Sequence, residues 1–345
     1  MRQLPRFLRL LGLSWAALAV GCGDGRTPLV VYSPHGRDLL VTIERAFEAE
    51  HPDLDLRFLD MGSQEVLDRV RSERANPQAD VWYGGPSTLF VRASSEGLLA
   101  AFEPTWTAAV PAAARDPQRR WSALYRTPTL LVYNRDALTA EQAPTDWEDL
   151  LDPRFEGQVL IRDPLASGTM RTIFGALISR AVDADGGPEA GFDWLRRLDA
   201  QTKEYVHSPA LLHEKMIRQE GLVTVWEATD ILGMIARGAP LAYRFPTSGA
   251  PVIEDSIAVV AGARHREAAE SFVEWIGLPE ALLLAAEEAF RIPAREDLPP
   301  AAMPSWVGEV MAELRPESVD WDRLEREGAG WMATWDRTVR GRGGR

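Results

Sequence analysis

Between residues 29 and 83 the sequence alternates short apolar strands with amphipathic helices, and this alternation constrains the fold more than any other feature. Residues 29–32, 54–58 and 80–83 have the continuous or alternating apolar pattern of strands. Segments with apolar residues at helical spacing separate them. A strand–helix–strand–helix–strand order at these lengths predicts a parallel α/β sheet with right-handed crossovers.

The same pattern resumes in the second half of the chain. Strand patterns recur at residues 130–133, 157–161, 205–207, 222–226 and 253–260. No repeat and no low-complexity linker interrupts them. The chain leaves the first unit near Thr127 and returns near Glu254, which predicts two lobes that face one cleft across a stiff hinge with two crossings.

The N-terminus has the pattern of an export signal. Arg2, Arg6 and Arg9 precede an apolar segment at 10–20 that is too short to cross about 30 Å of hydrocarbon as a helix. The small residues before Cys22 resemble a bacterial lipobox, after which the cysteine is lipidated. The alternative is an ordinary signal peptide that contains a cysteine.

Cys22 is the only cysteine of the chain and so has no disulfide partner, which favours the lipidated form. We therefore predict a lipoprotein signal peptide at 1–21, lipidation at Cys22 and a tether at 22–28. The mature protein is expected to be extracytoplasmic, a periplasmic or cell-surface lipoprotein anchored to a membrane.

The charge balance limits the partners of this chain. The first 21 residues carry three arginines and no acid, so without them the formal charge falls from −13 to −16. This acidity argues against nucleic acid as a partner and against charge-driven binding to an anionic bilayer. It does not exclude a local anion-binding pocket. The arginines of the tail, Arg337, Arg340, Arg342 and Arg345, are expected to form a frayed, solvated end.

Four loops lie where an open α/β sheet collects ligands, at the carboxyl ends of strands: 33–36, 62–64, 84–87 and 166–169. In the last of them, Ser167, Gly168 and Thr169 precede a helix. Free backbone N–H groups and the positive end of that helix can bind phosphate, phosphonate or carboxylate. The alternative is a plain helix cap, for which serine is favoured anywhere.

Three further side chains follow strands. His35 and His207 could donate to an anion or ligate a metal, or could be ordinary surface residues. Glu227 could accept ligand hydroxyls or pair with an amine. The motifs H-E-x-x-H, G-x-S-x-G, G-x-G-x-x-G and the P-loop are absent from the sequence, and we predict that the protein is not an enzyme.

Several segments together resemble the ferric-iron-type family of bacterial ABC-transporter substrate-binding proteins, also called extracellular solute-binding protein family 1. They are VVYSPHG (30–36), NPQADVWYGGPS (76–87), LYRTPTLLVYN (124–134), WEDLLDPRFEGQV (147–159), DPLASGT (163–169) and VWE (225–227). The resemblance spans roughly residues 29–293. It implies a bilobed class II periplasmic-binding-protein fold, with two mixed sheets, flanking helices and a hinge of two crossings.

The resemblance also implies domains and a site. Lobe 1 would comprise 29–126 with 256–345 returning to it, including the C-terminal helices, and lobe 2 would comprise 127–255. The expected ligand-binding residues come from both lobes: Ser33, His35, Gly85, Ser87, Ser167, Gly168, Thr169, His207 and Glu227.

The family's ligands include ferric iron with a synergistic anion, phosphorylated sugars, aminophosphonates and thiamine. Its iron binders place two adjacent tyrosines where this chain has Glu227 and Ala228, so a small anionic solute, phosphorylated or a phosphonate, is the expected ligand. Ferric iron is the alternative, held by His35 and Glu227 as cargo and not as a cofactor. A tethered phosphoester-acting enzyme or a ligand sensor are further alternatives. The expected partners are an ABC permease and ATPase, for a protein that is itself a monomer.

Overall fold

The computed structural model describes residues 25–343, so the predicted signal peptide and Cys22 lie outside the described residues. The strands are β1 (Thr27–Ser33), β2 (Leu54–Asp60), β3 (Val81–Pro86), β4 (Ser122–Asn134), β5 (Val159–Arg162), β6 (Thr202–Val206), β7 (Val223–Glu227), β8 (Leu241–Arg244), β9 (Val252–Val259) and β10 (Ile292–Pro293).

The helices alternate with these strands, as the apolar periodicity predicts. They are α1 (Arg37–Glu50), α2 (Ser63–Ser72), α3 (Ser87–Ser95), α4 (Gly168–Asp183), α5 (Gly187–Gln201), α6 (Pro209–Ile217), α7 (Ala228–Ala236), α8 (Arg266–Ile276), α9 (Pro279–Ala289), α10 (Ser305–Glu313) and α11 (Trp321–Thr338). Short 3₁₀ turns connect several of them. Within residues 25–343, no helix combines the length and the apolar character needed to cross a bilayer.

One strand, β4, is shared by the two halves of the fold. Its residues 122–128 pair with β9, and residues 129–134 pair with β7 and β8. The strand order is β2-β1-β3-β9-β4-β7-β5-β6, with β8 and β10 on β4. We call the β1, β2, β3, β9 and β10 half the first lobe, and the β5 to β8 half the second lobe. Both sheets are mixed, because β9 is antiparallel to β3 and β7 is antiparallel to β4.

Each lobe has its own apolar core. In the first lobe, α1, α8 and α9 cover one face of the sheet and α2 and α3 cover the other. In the second lobe, one large cluster joins the sheet to α4 and α5. The inner strands β3, β5 and β7 are buried on both faces, which explains why they read as nearly continuous apolar runs, whereas the edge strands β2 and β6 are partly exposed and carry charged residues.

The C-terminal helix departs from the predicted domain assignment. Residues 256–345 were expected to return to the first lobe, but α11 buries Trp331, Met332 and Trp335 in the core of the second lobe. Trp335 packs edge-on against Phe174 of α4, with ring centroids 5.6 Å apart. The apolar side of α11 carries two tryptophans and must pack against another apolar surface, which α4 provides. The expectation of a frayed tail is also wrong for residues 340–343, which make specific contacts described below.

A close approach between α8 and the loop before β4 yields a stability prediction. A Cβ added at Gly277, which ends α8, would overlap the indole ring of the buried Trp106. We expect Gly277→Ala to lower the free energy of unfolding by about 1–3 kcal/mol because the packed ring must move. Urea denaturation followed by tryptophan fluorescence measures the change.

The matched control is Gly308→Ala in α10, where an added Cβ meets open space. It should be neutral or stabilising by up to ~1 kcal/mol, because alanine favours helix over glycine. Equal effects of the two substitutions would contradict the packing argument.

Candidate functional site

A cavity of about 750 Å³ lies in the cleft, lined by residues of both lobes. The N-terminal turns or capping residues of six helices, α1, α2, α3, α4, α6 and α7, contribute to its wall. A helix N-terminus carries a partial positive charge and N–H groups without intrahelical partners. Each such end favours a negatively charged group beside it, which offsets part of the negative charge of the acidic side chains that also line the cavity.

The start of α4 shows how the predicted anion loop is built. Ser167 caps the helix, with its Oγ accepting the N–H of Met170 at 3.1 Å. The N–H of Gly168 donates to Ser63 Oγ of the first lobe at 3.0 Å, so Gly168 serves contact between the lobes and does not line the cavity. Among residues 25–343, the N–H of Thr169 has no protein acceptor.

Two other predicted site residues lie behind the cavity wall and do not line it. Ser33 is fully buried, and its Oγ accepts the N–H of His35 at 3.2 Å. Ser87 is the first residue of α3 and, like Ser33, is not part of the cavity wall. The rule that ligands bind at strand ends finds loops that line this cavity, but it does not tell which side chain of a loop faces the cavity.

His35 lies at the base of the cleft, where it is hydrogen-bonded to a buried carboxylate. Its Nε2 is 2.8 Å from Asp255 Oδ2, and the N–H of Gly85 donates to the same carboxylate. Gly85 has a φ of +105°, which a glycine adopts without strain. Burial lowers the pKa of His35, so the imidazole is neutral at pH 7. Burial alone would raise the pKa of Asp255, but His35, Arg291 and the Gly85 amide outweigh it and lower that pKa.

Arg291 is a site residue that sequence reasoning missed. It follows α9 in the first lobe, is 4 % exposed, and lines the cavity. Its guanidinium lies 3.9 Å from Glu227, 3.9 Å from Asp230 and 3.8 Å from Asp255. Arg291 therefore connects the two lobes through charge. The sequence carries no signal for it, because its partners lie far away along the chain.

Glu227 faces the cavity from the end of β7. Its Oε1 accepts the Thr229 hydroxyl at 3.2 Å, and its Oε2 accepts the Thr169 hydroxyl at 3.3 Å. Burial, followed by the charge of Asp230, raises the pKa of Glu227 to about 8 despite the nearby Arg291. At pH 7 this carboxyl is mostly protonated and can donate a hydrogen bond as well as accept one.

Arg162 is the second missed residue, and it ends β5 beside the loop that leads to α4. It is 5 % exposed and lines the cavity, with one hydrogen bond, from Nη1 to the carbonyl of Val206 at 3.3 Å. In the described part of the chain, no carboxylate oxygen lies within 4.0 Å of its guanidinium. His207 and Ser208, which follow β6, line the same part of the wall. Arg162 is thus a buried cation without a counter-ion.

Comparisons with known proteins agree with this architecture. Residues 76–325 match the family described as "Bacterial extracellular solute-binding protein". The chain belongs to this family. The predicted resemblance and the bilobed α/β fold are thereby confirmed.

Relatives have similar length and topology. A probable ABC transporter periplasmic-binding protein, y4fP, of Sinorhizobium fredii is 28% identical over 90% of this chain and 86% of the relative. A putative 2-aminoethylphosphonate-binding periplasmic protein of Salmonella typhimurium is 28% identical over 72% of both chains. The structure of the periplasmic binding protein AfuA from Actinobacillus pleuropneumoniae, with exogenous fructose-6-phosphate bound, has a TM-score of 0.80 at 24% identity, covering 92% of this chain and 100% of that one.

The protein is therefore an extracytoplasmic substrate-binding component of an ABC importer, which works with permease and ATPase subunits. Its family is made up of solute-binding proteins and not of enzymes. Lipid anchoring at Cys22 remains a prediction from the sequence.

The raised pKa of Glu227 yields a prediction on stability. The folded protein keeps this proton up to about pH 8, whereas an unfolded chain releases it near the ordinary value of 4.5. The contribution of Glu227 to stability therefore falls as pH rises from about 4.5 to 8. We expect Glu227→Gln to stabilise the protein at pH 8, by about 1.4 kcal/mol per unit of pKa difference, and to lose this advantage toward pH 4.5.

Urea unfolding between pH 5 and 8 measures the effect. Glu65→Gln, on an exposed residue at the cavity wall, is the matched control and should give no pH-dependent difference. A difference between wild type and Glu227→Gln that stays constant with pH would contradict the protonated state.

Proposed function

We propose that the cleft captures a small organic anion that carries a phosphate or phosphonate group. The observation that carries the proposal is Arg162, a buried cation on the cavity wall without a carboxylate partner. An uncompensated buried charge costs several kcal/mol, and an anionic ligand offsets this cost. The names of the Salmonella relative and of the ligand-bound AfuA structure, which refer to a phosphonate and a phosphosugar, support the same class.

In the proposed complex, the anionic group of the ligand binds to the second lobe. Ser167, Thr169 and His207 line the same cavity as Arg162, and the free N–H of Thr169 supplies a further donor. Charge-assisted hydrogen bonds to a phosphoryl group suit such donors. The rest of the ligand then faces His35, Gly85 and Glu227, where the protonated carboxyl and the nearby carboxylates can bind hydroxyl or ammonium groups.

Lobe closure completes the capture. Ser63 of α2 accepts the N–H of Gly168, and Arg291 reaches the second-lobe acids Glu227 and Asp230. A ligand that contacts both lobes binds the closed form more tightly and shifts the population toward it. The permease then receives a closed, loaded protein.

Ligand identity is tested by native mass spectrometry of the protein purified from cell extract. A co-purifying mass that matches a phosphorylated or phosphonate compound supports the proposal, and a neutral sugar or an amino acid contradicts it. Calorimetry with 2-aminoethylphosphonate, fructose 6-phosphate and inorganic phosphate gives the affinities. Release of inorganic phosphate from the bound phosphosugar would favour the phosphoester-acting alternative.

Removal of the buried cation should weaken binding strongly. We expect Arg162→Gln to raise the Kd for the best phosphate or phosphonate probe about 10- to 100-fold, because hydrogen bonds to charged groups contribute about 1.5–3 kcal/mol. The control is Arg120→Gln: Arg120 is a half-buried arginine of the first lobe that donates to the carbonyl of Ser94 and does not line the cleft cavity. Unchanged affinity in Arg162→Gln would remove the basis of the proposal.

The geometry does not favour ferric iron as the cargo. The guanidinium of Arg291 occupies the position between Glu227, Asp230 and Asp255 where a cation would bind. The hydroxyls of Tyr83 and Tyr125 are 2.8 Å apart, but both rings are fully buried and do not line the cavity. Burial also raises the pKa of both phenols, so neither is an anionic ligand at neutral pH.

We therefore expect the protein to stay colourless when ferric citrate is added. Absorbance spectroscopy between 400 and 550 nm would detect phenolate-to-iron charge transfer. A visible band that disappears in Tyr83→Phe, or tight iron binding that depends on His35, would instead establish the iron alternative.

A further inference from the structure

The end of the chain contacts the loop that carries the proposed anion site. Arg340, just after α11, places Nη2 2.7 Å from Asp163 Oδ2. The guanidinium carbon lies 5.5 Å from the ring centre of Tyr205 and 5.6 Å from that of Trp335. Arg340 thus lies against two aromatic rings that also contact each other, with Asp336 as a second acidic neighbour at 3.3 Å. An ion pair combined with two ring contacts is unusual for a segment whose Arg- and Gly-rich composition is typical of a frayed end.

Asp163 in turn organises the loop between β5 and α4. Its Oδ1 accepts the N–H of Leu165 at 2.9 Å. Its carbonyl oxygen accepts the N–H groups of Ala166 at 3.2 Å and of Ser167 at 3.1 Å. Leu165, Ala166 and Ser167 all line the cleft cavity. The position of Asp163 therefore determines the shape of the wall on which the anion is proposed to bind.

A second acid holds the backbone that follows Arg340. Asp199, at the end of α5, accepts the N–H groups of Gly341, Arg342 and Gly343 at 2.9, 2.8 and 2.7 Å. The Tyr205 hydroxyl donates to the same carboxylate at 2.6 Å. Gly343 lies so close to α5 that a Cβ there would overlap the α5 backbone. Three amides on one carboxylate fix the direction of the tail, and with it the position of Arg340.

The charge of Asp163 matters because Asp163 directly follows Arg162. Among residues 25–343, Asp163 is the acid whose charge raises the pKa of Arg162 against the effect of burial. In the structure the Asp163 carboxylate pairs with Arg340 and not with Arg162. If Arg340 were absent, the Asp163 carboxylate would have no ion pair at this position, and pairing with the adjacent Arg162 would compete with an anionic ligand.

We propose that Arg340, held in place by Asp199, is a positioning residue of the binding site: it fixes the loop at 163–167 and keeps the Asp163 carboxylate away from Arg162, which leaves Arg162 for the ligand. The inference rests on the proposed function, because it assigns Arg162 to an anion. Residues 340–343 thereby contribute to the affinity for the ligand.

The affinity test uses single and double variants of the full chain. Arg340→Gln should raise the Kd for fructose 6-phosphate or 2-aminoethylphosphonate about tenfold, equivalent to ~1.4 kcal/mol. Arg340→Lys should recover part of the affinity. The control Arg337→Gln, on the same helix end, removes a side chain whose contact is Thr334 at 3.5 Å and should have no effect.

The double variant separates charge competition from simple loss of structure. Asp163→Asn retains the Oδ1 acceptor for the N–H of Leu165 but removes the negative charge. The double variant Arg340→Gln with Asp163→Asn should therefore bind the ligand more tightly than Arg340→Gln alone. A double variant as weak as, or weaker than, Arg340→Gln would overturn the competition. Wild-type affinity in Arg340→Gln would overturn the positioning role altogether.

A second measurement does not depend on any ligand. Hydrogen exchange in the ligand-free protein should be faster across residues 163–169 in Arg340→Gln than in Arg337→Gln, with the core of the first lobe unchanged. Equal exchange in the two variants would overturn the inference. If wild type binds none of the phosphate or phosphonate probes, the proposed function fails, and the exchange measurement still decides whether Arg340 fixes the loop.

Discussion

The whole arrangement depends on β4, a strand of 13 residues that belongs to both lobes. Backbone hydrogen bonding to β9 on one half and to β7 and β8 on the other fixes the relative direction of the two sheets without a flexible linker. The carboxyl ends of the flanking parallel strands, and hence the N-termini of the following helices, then face each other across the cleft. A motion of the lobes must bend β4 near residues 128–129 and the segment that leads into β9, since the chain passes between the lobes there.

Electrostatic balance in the cleft follows from this geometry. Arg291 of the first lobe has Asp255 of the same lobe as one acidic neighbour, and it gains Glu227 and Asp230 of the second lobe when the lobes are together. Arg162, on the opposite wall, is left without an acid partner in the described chain. Burial strengthens the interactions of Arg291 and raises the cost of leaving Arg162 unpaired, because charges that would be screened in water interact strongly inside the protein. One part of the cavity therefore holds an arginine with several acidic neighbours, and another holds a buried arginine without a carboxylate partner among the described residues.

Much of the fold could be predicted because its signals are local. Strand and helix patterns, the Ser167 cap and the loops at strand ends all depend on residues within one or two turns of each other. The structure brings His35, Gly85, Ser167, Thr169, His207 and Glu227 to one cavity. Arg162, Asp255 and Arg291 were missed because their significance comes from partners in other elements. The lobe against which α11 packs could not be predicted either, because the apolar stripe of this helix would fit the core of either lobe.

The size of the cavity has a consequence for selectivity. At about 30 Å³ per molecule, a space of about 750 Å³ accommodates roughly 25 waters. If the proposed ligand class is correct, a compact phosphonate would displace a minority of them, and a sugar phosphate would displace more. The waters left in the cavity would then bridge the ligand to polar side chains of the wall, with enthalpies close to those of direct hydrogen bonds. Such a cavity would accept solutes of different length, with the water adjusting in place of the protein.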